Sequence, residues 1–531
     1  MKKSVGLSLL VAVVFLSSFK GDKGVKSTSH AIGHIKNEGF NNSKVMSTLF
    51  ELTDVNGPRL TGSTGMKNAE KWAAEKLKSW ALKNVKIEPW GGFGKGWEIN
   101  KSYVAMTAPY YQALIAVPRA WTPGTNGLVS GNAELVKIEK EEDMAKYAGK
   151  LKSKIIVLAT GTTGNETKLN FTADARRLTD SELIKQSWDP HMDDGVTNLN
   201  PAAPAAPASP RAAALSLRQK TDSFLLAEGA IAVLSGGRGT MGTVFTSNGA
   251  SRAWDAKTVL PEMEMGSEHL GRLIRLLEAG KEVSLEMDTR TTFLAADSVE
   301  NVVVGEIPGT DTALKDELVI LGGHMDSWHA ATGATDNGTG SAVAMEAIRI
   351  LKAIGNKPRR TIRIVLWSGE EQGLLGSRGY VKNHFGDRLT MKLKPEHKKV
   401  SAYYNLDNGG GKIRGIYAQG NYEAMPIFKE WLAPFEDLGA NTVTIKNTGS
   451  TDHISFDEVG IPGFQFIQDP LEYGTRTHHT NMDSYDRVSS NDLQQASVIM
   501  AAFVYNTAMM DMKMPRKTLP KVNPSPTSYL R

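Results

Sequence analysis

The sequence predicts an α/β protein built on a largely parallel sheet and interrupted by a second, inserted unit. Two apolar, β-branched runs, Leu318–Leu321 and Ile362–Leu366, flank a helical pattern with small or apolar residues from Gly340 to Leu351. Strand, helix and strand in this order form a βαβ unit with parallel strands and a right-handed crossover. By contrast, residues 121–293 contain short strand-like runs separated by long polar stretches.

The same hydrophobic patterns predict the other elements in order. Before the insert they predict helices over 44–52 and 66–82 and a strand over 84–90. Within the insert they predict strands at Glu134–Ile138, Lys154–Leu158 and Ala230–Leu234. After Ser298 they predict strands at Val302–Glu306, Leu318–Leu321, Thr361–Trp367, Val400–Leu406 and Gly463–Ile467, and helices at Gly340–Ala353, Leu374–Asn383, Tyr422–Leu432 and Asp492–Asp511.

These changes in pattern divide the chain into five parts. We expect a signal peptide over 1–21, the N-terminal part of the main domain over 30–120, an inserted domain over 121–295 and the catalytic part over 296–513. The last part, 514–531, contains four prolines and no apolar period, which predicts a disordered tail. Inside the insert, the proline- and alanine-rich stretch 201–214 predicts a surface loop.

Composition limits the class of protein. The 531 residues are 40% hydrophobic and 22% charged, which is typical of a globular protein with a core. A net charge of +5, from 62 basic and 57 acidic residues, is too balanced to indicate nucleic acid as a partner. Because the chain has no cysteine, any metal must be held by histidine and carboxylate.

The N-terminus has the form of a secretory signal peptide. Lys2 and Lys3 precede an apolar run from Val5 to Phe19, which is short for a membrane span. An uncleaved membrane anchor is the alternative. We therefore expect an exported or periplasmic protein with no membrane attachment after cleavage.

Metal-ligand residue types follow the strand ends of the second half. His324 and Asp326 follow one predicted strand, Asp336 begins the next helix, and Glu370 and Glu371 follow the next strand; Asp407, His478 and His479 come later. Ligands bind at the carboxyl ends of strands in such sheets. Two imidazoles and several carboxylates suit a binuclear zinc site with a bridging water, and a further carboxylate would serve as general base.

Each residue also has a structural interpretation. His324 could be a buried histidine paired with Asp326, the Glu370–Glu371 pair could be the acidic start of a helix, and Asp336 could be an N-cap. Arg59, in the turn-rich stretch 57–65, could be a structural anchor or a functional residue. Taken together, the structural interpretations of the cluster require several coincidences at one edge of one sheet.

The motifs resemble those of the co-catalytic di-zinc exopeptidases, the family of the secreted leucyl aminopeptidases, carboxypeptidase Q and glutamate carboxypeptidase. They are G-G-H-x-D-S at 322–327, D-N-G-x-G-S at 336–341, S-G-E-E at 368–371, N-L-D at 405–407 and H-T-x-x-D at 479–483. The resemblance implies a three-layer αβα domain with a mixed central sheet. The insert is similar to a mostly-β protease-associated domain.

The resemblance also implies roles for individual residues. Asp336 would bridge two zinc ions, with His324 and Asp407 completing one site and Glu371 and His479 the other. Glu370 would be the general base, and Asp326 would orient His324. His478 stands where some relatives carry a tyrosine near the oxyanion, which implies a catalytic role, and Asp452 and His453 would line the pocket or be structural. Cobalt or manganese would also suit these ligand types.

The predicted function is a metal-dependent exopeptidase with a peptide substrate, foremost an aminopeptidase. A dipeptidase or carboxypeptidase would use the same metal core, and Arg414 and Arg476 lie near enough to the motifs to keep recognition of a C-terminal carboxylate open. A binding protein on a peptidase scaffold and a glutaminyl-cyclising enzyme are alternatives from other classes. The presence of all five ligand positions and the Glu370 base argues against the binding protein.

Overall fold

The computed structural model describes residues 22–159, 174–187, 210–294, 299–355 and 357–521. The predicted signal peptide and residues 201–209 of the predicted surface loop lie outside this part of the chain. Among the residues described, no helix is both long enough and apolar enough to cross a membrane.

The helices are α1 (Asp22–Asn41), α2 (Val45–Phe50), α3 (Thr64–Ser79), α4 (Asp180–Ser187), α5 (Pro210–Ala227), α6 (Ser267–Glu278), α7 (Thr339–Ala353), α8 (Leu375–His384), α9 (Ala424–Leu432), α10 (His453–Asp457) and α11 (Ser490–Met509). The strands up to the end of the insert are β1 (Lys83–Gly92), β2 (Gly96–Lys101), β3 (Val104–Ala108), β4 (Gln112–Ala113), β5 (Ala116–Pro118), β6 (Val129–Lys137), β7 (Ile155–Ala159), β8 (Ala232–Gly236), β9 (Glu262–Met265), β10 (Ser284–Met287) and β11 (Arg290–Leu294). Those that follow are β12 (Val299–Ile307), β13 (Leu318–His324), β14 (Thr361–Trp367), β15 (Gly386–Asp387), β16 (Lys392–Leu393), β17 (Val400–Asn405), β18 (Ile413–Tyr417), β19 (Thr442–Thr444) and β20 (Gly463–Gln468).

The main sheet has eight strands in the order β1-β12-β14-β13-β17-β20-β18-β19. Its centre, β14-β13-β17-β20, is parallel. The pairs β1-β12, β12-β14 and β20-β18 are antiparallel, and the edge pair β18-β19 is parallel. This arrangement confirms the predicted mixed sheet. His324 lies level with Trp367, and Gly322 lies level with Asn405, so the carboxyl ends of three central strands meet at one edge.

The central strands are buried on both faces because helices cover both. Val319 and Leu321 of β13 pack into a core with α7 and α11, while Leu318 and Ile320 face an aromatic cluster with α8 and α10. Side chains alternate between the two faces of a strand, so an uninterrupted apolar run such as Leu318–Leu321 indicates a strand buried on both faces. The predicted three-layer αβα domain is confirmed.

The insert forms a second eight-stranded sheet, in the order β4-β3-β10-β6-β7-β8-β9-β5. Here "insert" denotes residues 104–287, which lie between β1 and β12 of the main sheet. The predicted boundary at 120/121 is wrong, because β3 pairs with β10 and β5 with β9. These pairings join residues far apart in the chain, and a local hydrophobic pattern does not report them. The similarity of the insert to a protease-associated domain stays a prediction.

The predicted disordered tail begins too early at residue 514. Met514 is buried, and its backbone N–H donates to Ser401 Oγ at 3.1 Å. Arg516 donates to the Val400 carbonyl oxygen at 2.7 Å, and Lys517 forms an ion pair with Asp457. A segment without hydrophobic periodicity can still be ordered when individual residues bind the rest of the protein, and Met514, Arg516 and Lys517 do so.

Candidate metal centre

The site lies where the central strands of the main sheet end. His324 is the last residue of β13, Glu370 and Glu371 come shortly after β14, and Asp407 comes two residues after β17. Asp336 lies in the turn Ala334–Gly338 that leads into α7. The sheet therefore brings together ligand types that are up to 83 residues apart.

One half of the cluster is centred on His324, which is 1% exposed. Its Nε2 is 3.2 Å from Asp407 Oδ1, 3.5 Å from Asp336 Oδ1 and 3.8 Å from Glu370 Oε2. Its Nδ1 is 3.0 Å from the Asp326 carbonyl oxygen. An N–H donated from Nδ1 to that carbonyl leaves Nε2 with a lone pair facing the carboxylates.

The other half is centred on His479. Its Nε2 is 2.9 Å from Glu371 Oε2 and 3.1 Å from Asp336 Oδ2. His478 Nε2 is further away, 3.7 Å from Asp336 Oδ2, and its side chain is more exposed. Asp336 thus faces both halves, with Oδ1 toward His324 and Oδ2 toward the two histidines.

The Asp326 carboxylate holds the Glu370–Glu371 segment. It is fully buried and accepts the N–H groups of Glu370 and Glu371, each at 3.3 Å, and the Thr61 hydroxyl at 2.9 Å. Its distance to His324 Nδ1 is longer, at 3.6 Å. The residue therefore contacts His324 chiefly through its backbone carbonyl, while its carboxylate positions the two glutamates.

Asp483, the last residue of the H-T-x-x-D motif, fixes the backbone of Asp336. Its carboxylate accepts the Thr335 N–H at 2.6 Å and the Asp336 N–H at 3.0 Å. Next to Asp336, Asn337 donates to the Leu406 carbonyl at 2.9 Å and accepts the Gly340 N–H at 2.9 Å. Motif spacing alone identified Asp483 as a match and did not reveal this positioning contact.

Arg59 is a structural anchor and not a residue of the cluster. It is 0% exposed and donates to five backbone carbonyl oxygens, among them those of Met325 at 2.6 Å, Thr332 at 2.6 Å and Gly333 at 2.8 Å. The guanidinium thereby ties the 57–59 turn to both ends of the loop between His324 and Asp336. Of the two interpretations open from the sequence, the structural one describes these contacts.

Burial and neighbouring charges shift the pKa values of the groups in the cluster. Burial alone would lower the pKa of His479, but Glu371 and Asp336 raise it to about 11. Burial raises the pKa of Glu371 to about 7 and that of Glu370 well above its usual value. Burial would also raise the pKa of Asp336, but His479 and His324 hold it well below its usual range. These shifts show how strongly the buried carboxylates interact with nearby positive charge.

The residues present fit bound metal ions. Ligand atoms of His324, Asp336 and Asp407 lie within 4.8 Å of one another, as do those of Asp336, His478 and His479. Glu371 Oε1 is buried and has no hydrogen-bond partner among the residues that the structure describes, which is costly unless a cation binds it. Imidazole nitrogen and carboxylate oxygen are the ligands that zinc prefers when cysteine is absent.

Tyr473 is a nearby residue that the sequence analysis missed. Its ring is 4.7 Å from that of His478, which in turn is 3.9 Å from that of His479. Burial, with the nearby carboxylates of Asp336 and Asp407, raises the pKa of Tyr473 well above its usual value. His478 occupies the position beside His479 at which some relatives carry a tyrosine. No spacing rule points to a tyrosine six residues before the ligand.

The remaining candidates lie around the cluster and not in it. Asp452 and His453 are fully buried at the start of α10, and burial raises the pKa of Asp452 to about 7. Arg414 donates to Asp469 and to the Gly439 carbonyl, each at 2.9 Å. Arg476 contacts Asp174 and Thr243. Both arginines are engaged in contacts within the protein.

Comparison with known proteins gives a consistent result. Residues 301–504 match the profile of Peptidase family M28. Carboxypeptidase Q of Mus musculus is 25% identical over 474 residues, which cover 88% of this chain and 86% of the relative.

Two solved structures have a similar fold. That of a peptidase M28 precursor from Shewanella amazonensis SB2B has a TM-score of 0.66 at 23% identity and covers 93% of this chain and 99% of the other. That of BSAP, a zinc aminopeptidase from Bacillus subtilis, has a TM-score of 0.55 at 19% identity, with 88% and 95% covered. The match to Peptidase family M28 falls on the segment that carries the cluster, and carboxypeptidase Q aligns over most of the chain; together they indicate that this chain is a metallo-exopeptidase.

Proposed function

We propose that this metallo-exopeptidase is an aminopeptidase that removes N-terminal residues from peptides with two zinc ions. His324, Asp407 and Asp336 would hold one ion, and Asp336, Glu371 and His479 the other. The observation that carries the proposal is the position of Asp336, whose two carboxylate oxygens face two separate groups of ligand types. We further propose export through the N-terminal segment 1–21.

Zinc bound here would polarise the scissile carbonyl and make water a nucleophile at neutral pH. Glu370 is the general base in this proposal: its carboxylate lies 3.8 Å from His324 Nε2, beside the cluster. Burial raises its pKa, which strengthens it as a proton acceptor and lets it return the proton to the leaving amine. Asp326 holds the Glu370 N–H and so orients the base. His478 and Tyr473 are candidates for contacting the oxyanion.

The ion pairs that Arg414 and Arg476 form within the protein support an aminopeptidase. Arg414 and Arg476, which could have held a C-terminal carboxylate, bind Asp469 and Asp174 instead. The cluster itself is rich in carboxylates, which suit a free α-ammonium group.

A carboxypeptidase is the second candidate, favoured by Arg238. This exposed residue lies over the Phe245 ring, with its guanidinium carbon 4.0 Å from the centroid. Phe245 pairs with Thr480, next to His479. Arg238 has no ion-pair partner within the described ranges, so its charge is available to a substrate carboxylate. The alignment with carboxypeptidase Q, over 88% of this chain, supports the same candidate.

Blocked peptides separate the two candidates. The zinc-loaded protein is incubated with one peptide in three forms (free, N-acetylated and C-amidated), with and without a chelator, and products are identified by mass spectrometry. We expect chelator-sensitive shortening from the N-terminus of the free and amidated forms and none of the acetylated form. Shortening of the free and acetylated forms from the C-terminus, with the amidated form intact, would instead establish the carboxypeptidase, and Arg238→Gln should then raise KM.

The assigned base has its own test. Glu370→Gln should keep both metal ions, because Glu370 is not among the proposed ligands, and lower kcat by about 100-fold or more. Glu75→Gln, an exposed change on α3, is the matched control and should keep full activity. Metal content is measured by elemental analysis beside the rate. Wild-type turnover in Glu370→Gln would refute the assignment.

A further inference from the structure

The loop that carries His479 is bound to the insert. The "His479 loop" denotes residues 473–483, and the "insert edge" denotes residues 241–246. The Thr246 N–H donates to the His479 carbonyl at 2.8 Å, and the Asn481 N–H donates to the Val244 carbonyl at 3.1 Å. Phe245 and Thr480 form an antiparallel bridge between these two bonds. The insert edge therefore adds a short strand to the backbone on either side of a proposed metal ligand.

The Asn481 side chain strengthens this pairing at both of its polar atoms. Its Oδ1 accepts the Val244 N–H at 2.7 Å, and its Nδ2 donates to the Gly242 carbonyl at 3.1 Å. Arg476 reaches the same edge through Thr243 Oγ1, at 3.4 Å. Asn481 thus makes three hydrogen bonds to backbone atoms of the insert, two to Val244 and one to Gly242.

His479 needs such support because its backbone is strained. Its φ is 60°, in the left-handed region that side chains other than glycine rarely adopt. A residue stays in that region only when surrounding contacts hold it there. The hydrogen bond to the His479 carbonyl and the bonds to Asn481 are contacts of this kind.

The two halves of the cluster differ in what holds them. His324 ends β13 and Asp407 lies two residues after β17, both central strands of the main sheet. Asp336, which both halves share, is fixed by Asp483 and its turn. His479, in contrast, is held in part by residues of the insert. Loss of the contact between the loop and the insert edge should therefore affect one metal position more than the other.

We propose that Asn481 is a positioning residue through which the insert sets the affinity of the metal position formed by Asp336, Glu371 and His479. The position formed by His324, Asp336 and Asp407 should be affected less, because His324 and Asp407 are held by central strands of the main sheet. Because coupling is reciprocal, metal at the first position stabilises the pairing of the insert edge with the His479 loop. This inference rests on the proposed ligation of zinc by His479.

Zinc titration of the metal-free protein tests it, with binding followed by calorimetry. Wild type should bind two ions, and Asn481→Ala should bind one with unchanged affinity and the other about tenfold more weakly, as expected for one or two lost hydrogen bonds. Asn481→Asp, which keeps the acceptor for Val244, should lie between them. Asn132→Ala, on β6 and bonded to Glu282 and Ser284 of the insert, is the matched control and should bind as wild type.

His479→Ala distinguishes a failure of the proposed zinc ligation by His479 from a failure of the positioning role proposed for Asn481. If it still binds two ions with wild-type affinity, the proposed ligation by His479 fails. If it loses one ion while Asn481→Ala binds both as wild type, the ligand assignment stands and the positioning inference is overturned.

Hydrogen exchange on the wild-type protein gives a second measurement that does not depend on a variant folding. The Val244 and Thr246 amides, which donate to Asn481 and His479, should exchange at least several-fold more slowly when zinc is bound. Ile156, in β7 of the insert, should exchange at the same rate in both states. Equal exchange at Val244 and Thr246 with and without zinc would overturn the coupling.

Discussion

Buried carboxylates in this protein differ in how many hydrogen bonds they accept. Asp326 is fully buried yet accepts three hydrogen bonds, from Thr61 and from the Glu370 and Glu371 backbones. Glu70 and Glu300 are each 3% exposed, and each has one carboxylate oxygen, Glu70 Oε1 and Glu300 Oε2, without a hydrogen-bond partner within the described ranges. Burial raises the pKa of Glu70 to about 8 and that of Glu300 to about 7.

A raised carboxyl pKa makes stability fall as pH rises. Below about pH 4.5 both folded and unfolded chains hold the Glu70 proton; above it the unfolded chain loses the proton first, so the folded state is progressively destabilised up to about pH 8. Glu70→Gln should therefore raise the free energy of unfolding at pH 8 by about 2–4 kcal/mol and change it little at pH 4.5. Denaturant unfolding at both pH values measures this. Glu75→Gln, exposed on the same helix, is the control, and an equal effect of the two variants would contradict the explanation.

At the scale of elements, the start of α7 is positioned by a close backbone contact. A Cβ at Gly340 would lie 2.0 Å from the Leu406 carbonyl oxygen, which also accepts the Asn337 side chain. Leu406 precedes Asp407, so the contact sets the spacing between the helix and a proposed ligand. The helical pattern of 340–351 predicted α7, but only packing against the β17 end explains why a glycine lies there.

Gly340→Ala should push α7 away from Leu406 and cost about 3 kcal/mol of stability, as for other overpacked positions. It should also weaken zinc binding, because Asp407 would move with Leu406. Gly33→Ala on α1 is the matched control: nothing lies within 4 Å of its added Cβ, so it should leave stability unchanged or raise it by up to about 1 kcal/mol. Thermal unfolding and zinc titration measure both effects. A Gly340→Ala protein as stable as wild type would show that the helix tolerates a shift.

At the scale of the whole molecule, distant segments hold the main domain together. Met514 to Lys517 reach back to the start of β17 and the end of α10 through Ser401, Val400 and Asp457. The insert likewise reaches the metal centre through its edge at 241–246. Both contacts join parts of the chain that sequence patterns treat as separate.

Shortening the chain tests the C-terminal contacts. A protein ending at Lys513 should be less stable than one ending at Lys521 by about 4 kcal/mol, the sum expected for burying Met514 and making its neighbours' hydrogen bonds. Denaturant midpoints of the two shortened proteins give the comparison directly. Equal midpoints would show that residues from 514 onward contribute nothing to the free energy of unfolding, as a disordered tail would.

Sequence patterns alone are enough to predict the α/β core and the candidate cluster. Apolar runs such as Leu318–Leu321 report burial on both faces, and ligand types just past such runs must share one sheet edge. Only the tertiary structure showed that the insert begins at Val104, that Arg59 is an anchor, and that Asp326 holds the two glutamates. The difference comes from separation along the chain. Hydrophobic periodicity reflects contacts between residues a few positions apart. Strand pairing, the carbonyl contacts of Arg59 and the support of His479 instead join residues that are far apart in the sequence.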